Sequence, residues 1–139
     1  MKYNPVTTQV LSQLSAIVGE RNVVTDKERL EAYSHDETPA SQYARMPEVV
    51  VFPKSAQEIA EIVKLANREL IPITPRGAGS GLSGGAIPEY GGIVISLEKM
   101  NRVIEIDYDN MMMVLEPGVV TNEVNAMVAE KACFLLGTL

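Results

Sequence analysis

Residues 75–85 read Pro-Arg-Gly-Ala-Gly-Ser-Gly-Leu-Ser-Gly-Gly and hold five of the ten glycines of this 139-residue chain. They follow directly on the apolar run Leu70-Ile71-Pro72-Ile73-Thr74. A strand that empties into such a loop can curl successive backbone N–H groups around a phosphate or diphosphate, because nothing beyond a hydrogen stands between the main chain and the ligand at each glycine. Ser80 and Ser83 would add hydroxyl donors, and Arg76 either a positive charge or a clamp on nearby carbonyls or a carboxylate. Gly79-Ser80-Gly81-Leu82-Ser83-Gly84 matches the spacing G-x-G-x-x-G, but that fingerprint needs a helix to follow. Here Pro88, Gly91 and Gly92 interrupt the next residues. No Lys-Ser or Lys-Thr closes the run, which removes the Walker A reading. On residue types alone the loop is either an anion-binding nest or a flexible connection.

The elements that would position this loop are legible from periodicity. Val6, Val10, Leu11, Leu14, Ile17 and Val18 give a helix over 6–18, with Thr7 or Thr8 as cap and Gly19 just beyond. Thr25 and Glu28 have the spacing of a capping box for a short second helix, and 34–46 reads as a surface connection. Glu48-Val49-Val50-Val51-Phe52 is a strand. Ser55 and Glu58 open a helix reaching about Glu69, with Ile59, Ile62, Val63 and Ala66 on one stripe, and 70–74 is the next strand. This βαβ unit calls for parallel strands and a right-handed crossover. A third strand lies at 92–97. From Val103 the pattern becomes a hairpin turning at Asp109-Asn110, with Met111, Met112 and Met113 as core or edge filler. Pro117-Gly118 stops it, and Thr121 caps a last helix with Val124, Met127 and Val128 inward.

Bulk properties exclude several function classes. With 46% hydrophobic and 22% charged residues the composition is that of a globular domain, and no apolar stretch approaches the ~20 residues that a bilayer span needs. The net charge of −6, with no run of Lys or Arg, argues against nucleic acid as a partner. The N-terminus has no basic segment followed by an apolar block, so the cytoplasm is the expected compartment. Cys133, the single cysteine, reads as a buried helix residue, and no metal site is expected. His35, the single imidazole, lies in an acidic loop and is expected to have no catalytic role.

Several spaced segments together resemble a known family. Pro47 to Pro53, Ser55 with Glu58-Ile59, the run Ile71 to Gly85, and Glu116-Pro117-Gly118-Val119 are similar to the N-terminal half of the FAD-binding domain of the vanillyl-alcohol oxidase type. The similarity is nearest to the glycolate oxidase and D-lactate dehydrogenase group and runs from about Tyr33 to Phe134. It implies an α+β (α/β) fold. A small lobe of parallel strands and helices would be followed by the start of a second, antiparallel-sheet lobe, with FAD between them. The implied division is 1–46 as an N-terminal helical segment, 47–100 as the first lobe, and 101–139 as the truncated start of the second.

By the same resemblance, Pro75, Arg76, Gly77, Ala78, Gly79, Ser80, Gly81, Leu82, Ser83, Gly84 and Gly85 wrap the FAD pyrophosphate, and Pro117, Gly118 and Val119 lie close to the cofactor. Members that attach flavin covalently place a histidine where this chain has Ser80, so non-covalent FAD is expected. The implied activity is oxidation of a small 2-hydroxy acid to a 2-oxo acid, with no catalytic acid or base in this stretch. The sequence reads as a fragment, inactive on its own, whose open sheet would associate with a second copy or a partner chain. Two rival readings are a non-catalytic nucleotide-binding or assembly module and a decayed remnant without ligand.

Overall fold

A computed structural model describes residues 2–129. Three consecutive β-branched residues make β2 (Val49–Val51), and Ile-Val-Ile-Ser makes β4 (Ile93–Ser96); all seven are buried. Strands without a polar alternate position must be covered on both faces, as parallel strands usually are. The sheet order is β1-β2-β4-β3, where β1 is Val23–Val24 and β3 is Ile73–Arg76. β2 and β3 each run parallel to β4, with Val49 and Ile73 both opposite Ile93, while β1 lies antiparallel on β2.

Side-chain alternation divides the core in two. Val49, Val51, Ile93 and Ile95 point to one face, where they meet Val10, Leu14 and Val18 of α1 (Thr8–Val18) and Ile62, Leu65 and Ala66 of α4 (Ala56–Glu69). Val50 and Val94 point to the other, onto Val24, Phe52 and Leu30 of α2 (Lys27–Glu31), with Tyr33 at the margin. Each fully buried aliphatic side chain contributes roughly 1.5–3 kcal/mol. Cutting Leu14 back to alanine would cost about 2–5 kcal/mol, since that side chain is wholly enclosed.

Local chemistry sets the element ends. Thr7 caps α1 through Val10 N–H at 3.3 Å, and Ser55 caps α4 through Glu58 N–H at 3.2 Å, both as expected. For α2 the cap is Asp26, which accepts from Arg29 N–H at 3.1 Å, in place of Thr25. α5 (Thr121–Val128) follows Val120 with no side-chain cap, so Thr121 is its first residue and not its cap; Val124 and Val128 are buried, whereas Met127 is exposed. The strand expected at 70–74 begins at Ile73, because Leu70 takes the left-handed conformation that ends α4. The stretch 34–46 contains a one-turn helix, α3 (Ala40–Tyr43).

The second sheet is the expected hairpin, β5 (Val103–Asp107) and β6 (Met112–Leu115), antiparallel with an irregularity between Val103 and Glu105. Met111 and Met112 are exposed and Met113 is half-buried, which makes them edge residues. Cys133 lies outside the described residues. Among the described residues no helix is long and apolar enough to cross a membrane, and no cluster of His, Cys, Asp and Glu is arranged to hold a metal ion.

Candidate cofactor site

β3 and β4 are parallel neighbours, and the eleven-residue glycine run lies mostly in the connection between them. Arg76, the last residue of β3, is buried (8% exposed) opposite Ser96. Its guanidinium turns back to donate to the carbonyl of His35 at 2.6 Å and to that of Ala32 at 3.2 Å, lying 5.6 Å from the centre of the Tyr33 ring. Arg76 is therefore a clamp. Among the described residues no carboxylate lies within ion-pair distance of it.

Gly79 is required on two counts. Its φ is +77°, and a Cβ there would collide with the Arg76 guanidinium. The residues around it are open: Gly77, Gly81, Leu82 and Ala78 are exposed, and Ser80 and Ser83 have at least one side toward solvent. Among the described residues no acceptor meets the N–H groups of Gly77, Ala78 or Ser80. Gly84 differs, because its N–H donates to Asp36 Oδ2 at 2.9 Å, and the Gly81 carbonyl accepts from Glu37 N–H at 3.1 Å.

Facing the start of the loop is the turn after β6. Glu116, buried at 8% exposure, accepts from Arg102 N–H at 2.8 Å and from its guanidinium at 2.6 and 3.0 Å. These hydrogen bonds hold the Glu116 carboxyl below its ordinary range, the side-chain bonds first. Gly118 N–H donates to Met100 C=O at 2.8 Å, and a Cβ at Gly118 would strike the Leu97 carbonyl oxygen. The lack of a side chain at 118 lets this turn lie directly on the segment after β4.

Between the two walls is a cleft of about 820 Å³. Arg76, Gly77, Ala78 and Ser80 line one side and Pro117 through Asn122 the other, with Ala32, Tyr33 and Glu98 completing the lining. Of the residues the sequence singles out, the cleft gathers Arg76, Gly77, Ala78, Ser80, Pro117, Gly118 and Val119. It leaves Pro75, Gly79, Gly81, Leu82, Ser83, Gly84 and Gly85 outside its lining. Tyr33, Glu98 and Val120 to Asn122 are additions that the sequence does not mark as site residues. Tyr33 donates to Glu98 Oε1 at 3.2 Å, and partial burial, then the Glu98 charge, raises its pKa. No motif signals Tyr33 or Glu98; they reach the cleft by packing across the sheet.

A strand-loop-strand cradle of free amides facing a Pro-Gly turn is suited to the phosphates of a nucleotide, and the comparisons with known proteins show a nucleotide-binding domain of a particular kind. Residues 47–137 match the family described as FAD binding domain, and the chain belongs to that family. Glycolate oxidase subunit GlcD of Bacillus subtilis (strain 168) is 36% identical over 129 residues, 93% of this chain and 27% of the relative. D-lactate dehydrogenase of Anaerostipes hadrus is 42% identical over 130 residues, 94% of this chain and 27% of the relative. Among solved structures, 4-ethylphenol oxidase from Gulosibacter chungangensis superposes with a TM-score of 0.78 at 26% identity, covering 95% of this chain and 27% of that one. The chain thus spans about a quarter of the length of the curated relatives it matches.

FAD is the cofactor of this domain, and the cleft fits it. The unpartnered amides of Gly77, Ala78 and Ser80 suit phosphoryl oxygens, and the missing Cβ at Gly118 keeps the opposite wall thin.

Proposed function

We propose that the chain is the cofactor-holding part of a flavin-linked oxidoreductase that converts a 2-hydroxy acid, of the glycolate or D-lactate type, into a 2-oxo acid. The observation that carries this is the cleft itself, whose wall of free backbone amides faces Pro117-Gly118-Val119. The identities of 36% and 42% to a glycolate oxidase subunit and a D-lactate dehydrogenase support the substrate class.

In this reading Gly77, Ala78 and Ser80 bind the diphosphate, Arg76 adds charge and fixes the loop's origin, and Pro117 to Val119 bound the opposite side. Bound FAD would supply the hydride-accepting ring. The chain's own residues bind and orient; none is assigned a proton-transfer role. Residues 47–100 form the first flavin lobe and 101–139 begin the second, after an N-terminal segment of 1–46. The proposal includes non-covalent flavin, since Ser80 offers no imidazole for attachment, and a cytoplasmic setting.

Titration of FAD into the purified chain tests it. Quenching of flavin fluorescence that saturates at one FAD per chain is expected, with all flavin released into the supernatant on acid precipitation. Absence of both quenching and thermal stabilisation would remove the reading.

A further inference from the structure

The glycine loop is tied at its far end by a residue that the cofactor reading leaves without a task. Asp36 is buried, 5% exposed, in the segment between α2 and α3. Its Oδ1 accepts from Thr38 N–H at 2.9 Å and from the Thr38 hydroxyl at 2.6 Å, while Oδ2 accepts from Gly84 N–H at 2.9 Å, 48 residues away. The neighbouring Glu37 N–H to Gly81 C=O bond adds a second tie, and a Cβ on Gly81 would stand 3.8 Å from the same carboxylate.

We propose that Asp36 is the positioning residue of the cofactor loop: its carboxylate is an internal anion that fills the far half of the glycine nest and leaves only the 77–80 half open to a diphosphate. This rests on the FAD reading above. A nest of main-chain N–H groups attracts whatever anion is nearest, and here the chain supplies its own, the Asp36 carboxylate hydrogen-bonded to Gly84 N–H. A second anion at that point would meet a buried negative charge, so a diphosphate is directed toward Gly77, Ala78 and Ser80, the part of the loop that lines the cleft. Fixing Gly81 and Gly84 beforehand also leaves fewer residues to be ordered when the ligand arrives. Arg76, bonded to the carbonyls of Ala32 and His35, ties the other end of the loop to the same stretch of chain.

The test compares FAD affinity of the 139-residue chain with that of Asp36→Ala, Asp36→Asn and Thr38→Val, alongside amide exchange of the ligand-free proteins at Gly84 and at Val94 in the core. Asp36→Ala is expected to weaken FAD about tenfold or more and Asp36→Asn about threefold, as hydrogen bonds to a charged acceptor are lost or weakened. Gly84 protection should fall in Asp36→Ala while Val94 protection holds. Formate, a free carboxylate of the missing size, should restore FAD affinity to Asp36→Ala and leave the wild type unchanged.

If the wild type binds FAD and Asp36→Ala binds it equally well, the positioning role is overturned and the cofactor reading stands. A wild type that binds no FAD overturns both. Loss of affinity matched by loss of Val94 protection, with no recovery from formate or in Asp36→Asn, makes Asp36 merely structural and overturns the proposal. Should Asp36→Ala fail to fold, Thr38→Val decides: removing one donor to Oδ1 must weaken FAD measurably, and unchanged affinity overturns the assignment.

Discussion

The two walls of the cleft are held over different distances along the chain. The glycine-loop wall is secured by side chains reaching in from elsewhere, Arg76 onto the carbonyls of Ala32 and His35 and Asp36 onto Gly84. The 117–122 wall rests main chain on main chain at Gly118 against Met100, with no space for a Cβ beside Leu97, and is fixed at its base by the Glu116–Arg102 pair. One wall therefore depends on a few polar side chains and on Gly79, whose positive φ and closeness to Arg76 leave no place for a Cβ. The other depends on that pair and on one position having no side chain.

Gly118→Ala should break this contrast most strongly. Pushing a methyl group into the Leu97 carbonyl overpacks a site bounded by main chain, at a cost of about 3 kcal/mol. Denaturant unfolding would read it as a lower midpoint, and the displaced wall should also weaken FAD. Next comes Arg76→Met, which strips the donors from two carbonyls; a loss of about 1–2 kcal/mol is expected. Arg76→Lys should recover little of it, because an ammonium cannot span both carbonyls as the planar fork does.

Acid should then separate carboxylate-held features from the rest. Asp36 is held below its ordinary pKa by the Thr38 hydroxyl first, and Glu116 by the Arg102 side chain first. Groups depressed in the folded state contribute stability above the unfolded carboxylate range, near pH 4, and lose it as pH falls through their lower folded values. Urea midpoints between about pH 7 and pH 3 should be insensitive to these two groups down to about pH 5 and fall below that. Glu116→Gln should make the fall shallower. The smallest effect is expected from Gly85→Ala. No atom lies within 4 Å of a Cβ there and the residue is outside the cleft lining, so stability should stay within about 0.5 kcal/mol and FAD affinity unchanged.

How much of this was legible in the sequence follows from how local each cause is. Runs such as Val49-Val50-Val51 and Ile93-Val94-Ile95 announce doubly covered strands, and Ser55 with Glu58 announces a helix start, because their causes lie within a few residues. The order β1-β2-β4-β3 was not legible: insertion of β4 between β2 and β3 is decided by packing over the whole sheet. Nor was β1, two residues long. At the site, glycine density exposed the loop, but its division into a cleft-lining part and a tied part depends on Asp36 and Glu37, which act through contacts with residues far along the chain. Arg76 carried two readings, cation and clamp; its bonds to two carbonyls establish the clamp.

The position of β4 sets a schedule for the growing chain. It is the last of the three parallel strands to be synthesised, yet it stands between the two made earlier, which share no ladder without it. A nascent polypeptide interrupted before residue 93 has a vacant slot where its sheet should close, and the glycine bend lacks the strand that follows it. The pocket for the nucleotide is thus completed only once the central strand and the Pro117-Gly118 turn have both left the ribosome.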